Sequence, residues 1–223
     1  MNKSLPRTGL FAAVALAACS SAARAPAAPG VEPGPADRAI LTPATQGRAD
    51  GARPPHTTAD VHFMSGMIGH HAQAVLMAGW AVSHGAGPAV RLLCERIVVG
   101  QRDEIELMQG WLQDRREPVP DGDPAHLMMP GMAHPKFMPG MLTVEQLAQL
   151  DGARGAEFDR LFLTYMIQHH EGAITMVDQL LGSVGGGQDD TVFKLASDIY
   201  ADQTTEIDFM SKMLARLSTS GSP

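Results

Sequence analysis

The residues that could do chemistry come in two matching sets. Met67-Ile68-Gly69-His70-His71 is followed six residues later by Met77, and Met166-Ile167-Gln168-His169-His170 by Met176 at the same spacing. Histidine and methionine side chains offer imidazole nitrogen and thioether sulfur, which together favour soft or borderline transition metals. At about 100° per helical residue, Met67, His70, His71, Ala74 and Met77 share an arc of roughly 120°. Phe63 and Ala78 fall on that arc too, so these histidines belong to an apolar face. A metal site and a buried, metal-free His layer held by carboxylates are both compatible with this pattern.

The helices that would have to pair with this face carry a repeated polar set of their own. Gln101, Glu104 and Met108 lie in a stripe with Val90, Cys94, Ile97, Ile105 and Leu112, and Gln203, Glu206 and Met210 lie in a second stripe of the same kind. Polar groups in an apolar seam need partners, and Glu104 and Glu206 are the candidates to orient imidazoles from behind a metal. Between the sets, Met128, Met129, Met132, His134, Met138 and Met141 sit in a Pro- and Gly-rich stretch where packing does not explain so many thioethers; they form a candidate capture arm for a soft metal.

Placing these residues requires helices. Apolar periodicity and end signals predict helices over 60–83, 88–115, 143–151, 155–181 and 190–217, with breaks at His84-Gly85-Ala86-Gly87-Pro88 and at Gly182–Gly187. Offsetting the chain by 99 residues aligns Asp60 with Asp159, Phe63 with Phe162, and both Met-x-x-His-His motifs. An offset of 102 aligns Gln101, Glu104, Met108 and Leu112 with Gln203, Glu206, Met210 and Leu214. This is a duplicated helical hairpin, and two hairpins make an all-α four-helix bundle. The expected layout is hairpin 1 over 59–116, a Met/Pro-rich linker over 117–142, hairpin 2 over 143–217 and a tail over 218–223.

The N-terminus reads as an export signal over 1–18. Lys3 and Arg7 precede an apolar run from Gly9 to Ala18 that is too short to remain as a spanning helix. Leu16-Ala17-Ala18-Cys19 resembles a bacterial lipoprotein cleavage box, making Cys19 the candidate lipidation site, with Ala23-Arg24-Ala25 as an ordinary cleavage site in competition. Residues 19–58 are expected to be a disordered tether in which the lone His56 is solvated. Cys94 then has no disulfide partner, and its place in an apolar stripe marks it as a small buried hydrophobe. The formal net charge of −7 disfavours nucleic-acid binding.

The doubled Met-x-x-His-His, the Gln-x-x-Glu-Ile-x-x-Met after each, and the Met138-Pro139-Gly140-Met141 segment resemble the domain of unknown function 305 family over about residues 59–216. The resemblance implies a ferritin-like four-helix architecture and copper binding outside the cytoplasm, periplasmic or at the cell surface. It carries Met67, His70, His71, Met166, His169 and His170 as motif positions. The first copy departs from the second in having Ala72-Gln73 where the second has Glu171-Gly172, which puts equal affinity of two sites in question.

Copper, as Cu(I) or Cu(II), is therefore the expected ion, ahead of zinc, because thioethers are soft ligands. No Glu-x-x-His of di-iron bundles and no His-Glu-x-x-His of zinc proteases occurs in the chain. The expected function is extracytoplasmic copper sequestration, tolerance or transfer to another copper carrier. A metal-dependent oxidase and a metal-free anchored interaction domain are the alternatives. No catalytic residue is assigned, since neither a general base nor a substrate pocket is recognisable.

Overall fold

Each hairpin begins at an aspartate. Thr57 caps the first helix, α1 (Thr58–Gly79), in a reciprocal box: its hydroxyl accepts the Asp60 N–H at 3.3 Å, and its own N–H donates to Asp60 Oδ2 at 2.7 Å. A computed structural model of the protein describes residues 56–123 and 138–220, within the compact unit Pro43–Pro223. Among the described residues there are five helices and no strands. After α1 come α2 (Pro88–Asp114), with proline in its first turn, and the short α3 (Val144–Gly152), opened by a Thr143/Gln146 capping box. Helices α4 (Ala156–Leu181) and α5 (Asp190–Ser220) complete the second hairpin.

The predicted elements are all present, with the largest shifts at the ends of α1 and α5: α5 runs on to Ser220, so residues 218–220 of the expected tail are helical. Helix α1 stops at Gly79 instead of 83, because Trp80 and Ala81 donate to the carbonyls three residues back and the chain tightens out of the α-helix. The following turn is drawn toward the second hairpin: His84 donates from Nε2 to the Asp151 carbonyl at 2.9 Å, and the His84 carbonyl accepts the Gly155 N–H at 2.9 Å.

Helices α1 and α4 cross antiparallel. Gly66 lies against Met176, His70 against His169 and His84 against Phe158. The two hairpins clasp each other at both ends with equivalent residues. Asp60 Oδ1 accepts the Gly187 N–H at 2.7 Å, and Asp159 accepts the Gly87 N–H at 3.1 Å through each carboxylate oxygen. Asp60 and Asp159 correspond in the repeat, so the pairing is a pseudo-two-fold with its axis near the middle of α1 and α4. Both carboxylates are buried, and for Asp159 burial pushes the carboxyl above its ordinary value while the Gly87 hydrogen bond pulls it back.

Two apolar clusters fill the interior, one on each side of the crossing. Phe63, Met64, Met67, Ile105, Met108 and Met176 belong to one, and Met77, Cys94, Phe158, Phe162, Met166 and Met210 to the other. Each takes its Met-x-x-His-His methionine and the methionine of α2 or α5 from one hairpin, Met67 and Met108 or Met166 and Met210, and one further thioether, Met176 or Met77, from the other. Cys94 is packed as expected, its thiol pushed up to about 12, chiefly by burial.

Of the leader and tether assigned to 1–58, residues 1–55, with Cys19, lie outside the described residues, as do Met128, Met129, Met132 and His134, while Thr57 and Thr58 are already the cap and first residue of α1. His56 is corrected: it is half-buried rather than solvated, with its ring edge-on to Trp111 at 5.4 Å between centroids and Nε2 3.6 Å from Glu117. No described helix is long and apolar enough to cross a membrane.

Candidate metal centre

At the crossing of α1 and α4 the four motif histidines form one layer. His70, His71, His169 and His170 have no solvent-exposed surface. The His70 and His169 rings lie 3.9 Å apart between centroids. All four are held the same way, by Nε2. His71 meets Glu104 at 2.7 Å and His170 meets Glu206 at 2.8 Å, while His70 donates to the Pro139 carbonyl at 3.0 Å and His169 to the His70 carbonyl at 3.0 Å.

The acceptors decide the tautomers. A carbonyl or a carboxylate only accepts, so in the neutral ring Nε2 carries the proton and Nδ1 is left as the bare nitrogen. In all four rings that Nδ1 is buried and has no hydrogen-bond partner among the described residues. Burial, aided by the neighbouring His71, holds His70 down at about 3. Burial first, and then the other imidazoles, hold His169 well below the ordinary range. His170 is also lowered by burial, partly offset by Glu206. Leaving a buried acceptor unpaired costs roughly 1–3 kcal/mol per group. His84 shows that the protein can avoid this cost: it too is buried, yet Ser83 satisfies its Nδ1 at 2.9 Å.

The layer is closed on one side by a strap that follows the Met-Pro-Gly-Met segment. Besides the Pro139–His70 bond, Gly140 O accepts from Gln168 Nε2 at 3.3 Å. Gln73 grips Leu142 both ways, accepting its N–H at 2.7 Å and donating to its carbonyl at 3.2 Å. Gly140 takes φ 76°, and it packs on Gly172 so closely that a Cβ on Gly172 would stand 2.0 Å from the Pro139 oxygen. The expectation that Met138 and Met141 belong to a flexible arm is corrected by these bonds: this part of the linker is fastened across α1 and α4. The mismatch between Gln73 in the first repeat and Gly172 in the second also has its cause here. One position grips the strap and the other makes room for it, so a single strap serves a two-fold layer.

On the other side, α2 and α5 face each other across a cleft of ≈ 230 Å³ that includes Gln101, Glu104, Gln203 and Glu206. Glu104 and Glu206 hold the rings as described. Gln101 and Gln203 are buried but do not join the histidines. Among the described residues both amide atoms of Gln101 and Oε1 of Gln203 have no hydrogen-bond partner, so of the two polar pairs in these stripes only Glu104 and Glu206 hold imidazoles.

The thioethers flank this layer. Met67, Met77, Met166, Met108 and Met210 are fully buried and Met176 nearly so. Among the described residues no group of three or more His, Cys, Asp or Glu is placed to hold a metal ion. An ion at the layer would therefore combine imidazole Nδ1 with ligands of another kind, and sulfur is the donor adjacent in each repeat. Gln73, Asp60, Asp159 and the Pro139 carbonyl were not singled out by spacing for these contacts. The unequal pair Gln73/Gly172 inside an otherwise equal repeat was the available signal for the strap.

The same architecture occurs in solved structures. A DUF305 fragment from Deinococcus radiodurans is 30% identical, with a TM-score of 0.60 over 73% of this chain and 99% of that one. A DUF305 protein from Streptomyces coelicolor is 29% identical, with a TM-score of 0.59 over 72% and 94%. CopM in its Cu(II)-bound form is 30% identical, with a TM-score of 0.56 over 70% and 96%, and its Cu(I)-bound form is 28% identical at 0.54. Among curated proteins, the uncharacterized protein L153 of Acanthamoeba polyphaga mimivirus is 33% identical over 57 residues, a stretch that spans 38% of that relative. With the family model, "Domain of unknown function (DUF305)", matched over residues 60–214, the chain belongs to the DUF305 family.

Proposed function

We propose that this protein binds copper outside the cytoplasm, sequestering it or passing it to another carrier. The carrying observation is the set of four buried Nδ1 atoms without partners, each on a ring fixed through Nε2, between two clusters of thioethers. An imidazole held by a carboxylate or carbonyl behind it is pre-oriented and needs no proton removed before Nδ1 donates to a cation. The sulfurs of Met67, Met77, Met108, Met166 and Met210 bias the choice toward Cu(I), while the imidazoles accept Cu(II) as well.

The likeness to CopM, solved with Cu(I), with Cu(II) and with silver, supports a soft-metal role for this chain. Export is supported by the leader-like residues 1–18, with Cys19 as a lipid-anchor candidate. The reading is of binding and ligand exchange, not of turnover. Competitive titration of the purified protein with Cu(I) against a chromophoric chelator tests it, alongside a variant with His70, His71, His169 and His170 changed to Gln. Loss of the tightest ion in the variant is expected; equal binding by both proteins contradicts the layer as the site. Oxygen consumption during Cu(I) addition checks for an oxidase, and none beyond the uncatalysed rate is expected.

A further inference from the structure

Outside the layer, on the strap side, α1 and α4 leave a pocket of ≈ 110 Å³ whose walls include His62, Phe63, Gly66, Met138, Met176 and Gln179. Met138 Sδ and Met176 Cε both come within 3.4 Å of the point a Cβ would occupy on Gly66, so the two thioethers converge over the same glycine. His62 stands one helical turn before Gly66 and is exposed at the pocket's rim. No carboxylate lines the pocket. Met138 is only half-buried, and it is held in place by the strap, its carbonyl accepting the Met141 N–H at 3.2 Å.

We propose that His62, Met138 and Met176 form a surface capture site for a soft monovalent d10 cation, Cu(I) or Ag(I), separate from the histidine layer. Two sulfurs and one imidazole beside an apolar wall suit such an ion and offer nothing to a hard divalent one. The site occurs once. In the second repeat Leu161 and Tyr165 replace His62 and Gly66, and the described residues hold no second strap. Its position also places it beside the layer, since Met138 immediately precedes the carbonyl that holds His70. The site shares the soft-metal chemistry of the proposed function but needs none of the four buried imidazoles.

Silver, which does not change oxidation state, is the probe. Ag(I) is titrated into full-length protein carrying 13C-methyl methionine, with the Met138 and Met176 signals assigned from Met138→Leu and Met176→Leu. Both signals should move as silver is titrated into the wild type, and they should still move when His169 is changed to Gln. His62→Ala alters an exposed side chain and leaves the fold intact; it and Met138→Leu should each weaken the ion that moves these signals by tenfold or more. If the Met138 and Met176 methyls stay fixed while silver binds elsewhere, or if His62→Ala leaves their response unchanged, the site is refuted. Movement of these two methyls without any response from the layer histidines upholds this site and removes the layer reading instead.

Discussion

Changing Gly172 to Ala tests the strap that closes the layer. The new methyl would stand 2.0 Å from the Pro139 oxygen, 2.4 Å from its carbonyl carbon and 2.5 Å from Gly140 Cα. These are backbone atoms, more than 1 Å inside van der Waals contact, and no rotamer change relieves them. The strap must lift, and lifting it removes the bonds of Pro139 to His70, Gly140 to Gln168 and Leu142 to Gln73. Each is worth about 0.5–1.5 kcal/mol, and the His70 N–H left buried adds roughly 1–3. Allowing for partial relaxation, the expected loss is about 3 kcal/mol, or roughly 6–12 °C in Tm for a domain of this size. Gly100→Ala is the control, because nothing lies within 4 Å of its Cβ and it sits inside α2; it should gain about 0.5–1 kcal/mol from helix propensity. Urea or thermal unfolding followed by circular dichroism reads both. A Gly172→Ala protein as stable as the wild type would refute the strap.

Glu104→Ala should strip the His71 ring of its only hydrogen-bonded partner, lowering copper affinity by about 10–100-fold, whereas Glu104→Gln, which can still accept, should keep most of it; competitive Cu(I) titration separates them. Asp60→Ala removes the side-chain half of the α1 capping box, where Oδ2 accepts the Thr57 N–H, and orphans the Gly187 N–H, for a predicted loss of about 2–4 kcal/mol in urea unfolding. Acid should weaken the metal-free protein before ordinary carboxylates titrate. His70 takes up a proton near 6.5 when unfolded but only at about 3 when folded, so the unfolded state binds more protons between those values. Stability is full above pH 6.5 and falls below it, by ~2 kcal/mol at pH 5 from His70 alone, with His169 and His170 acting in the same direction. Urea midpoints at pH 7.5, 6 and 5 check this; a flat profile would contradict it.

The hairpins were legible because duplication doubles every weak signal. Phe63 with Phe162, or Met108 with Met210, is an ordinary core pair taken alone, but the same offsets recurring along the chain make a register. The layer was legible in its members and in the Glu104 and Glu206 partners, since helical spacing places His71 and His170 on the inner face. Less was visible where contacts are made by backbone. The Pro139 carbonyl carries no side-chain signature, and Pro-rich segments lack the periodicity that reveals helices, so residues 138–142 read as a free arm. Gln101 and Gln203 were grouped with the histidines because they share a stripe with Glu104 and Glu206. Sharing a stripe fixes a face but not a partner, and both amides turn out to lie in the α2–α5 cleft. The end of α1 was misplaced for a similar reason: the apolar pattern runs on through Trp80 and Ala81, while the backbone has already tightened toward His84.

The central claim is that the four Nδ1 atoms are bare in the metal-free protein and become ligands. Long-range 1H–15N spectra of the histidine side chains measure this directly, because Nδ1 and Nε2 resonate differently according to which bears the proton or a metal. Before loading, His70, His71, His169 and His170 should all appear as the neutral Nε2–H tautomer; after one or two equivalents of Cu(I), which is diamagnetic, their Nδ1 signals should shift while Nε2 keeps its proton. Protonated Nδ1 atoms in the metal-free protein, or Nδ1 signals unmoved by bound copper, would contradict the account.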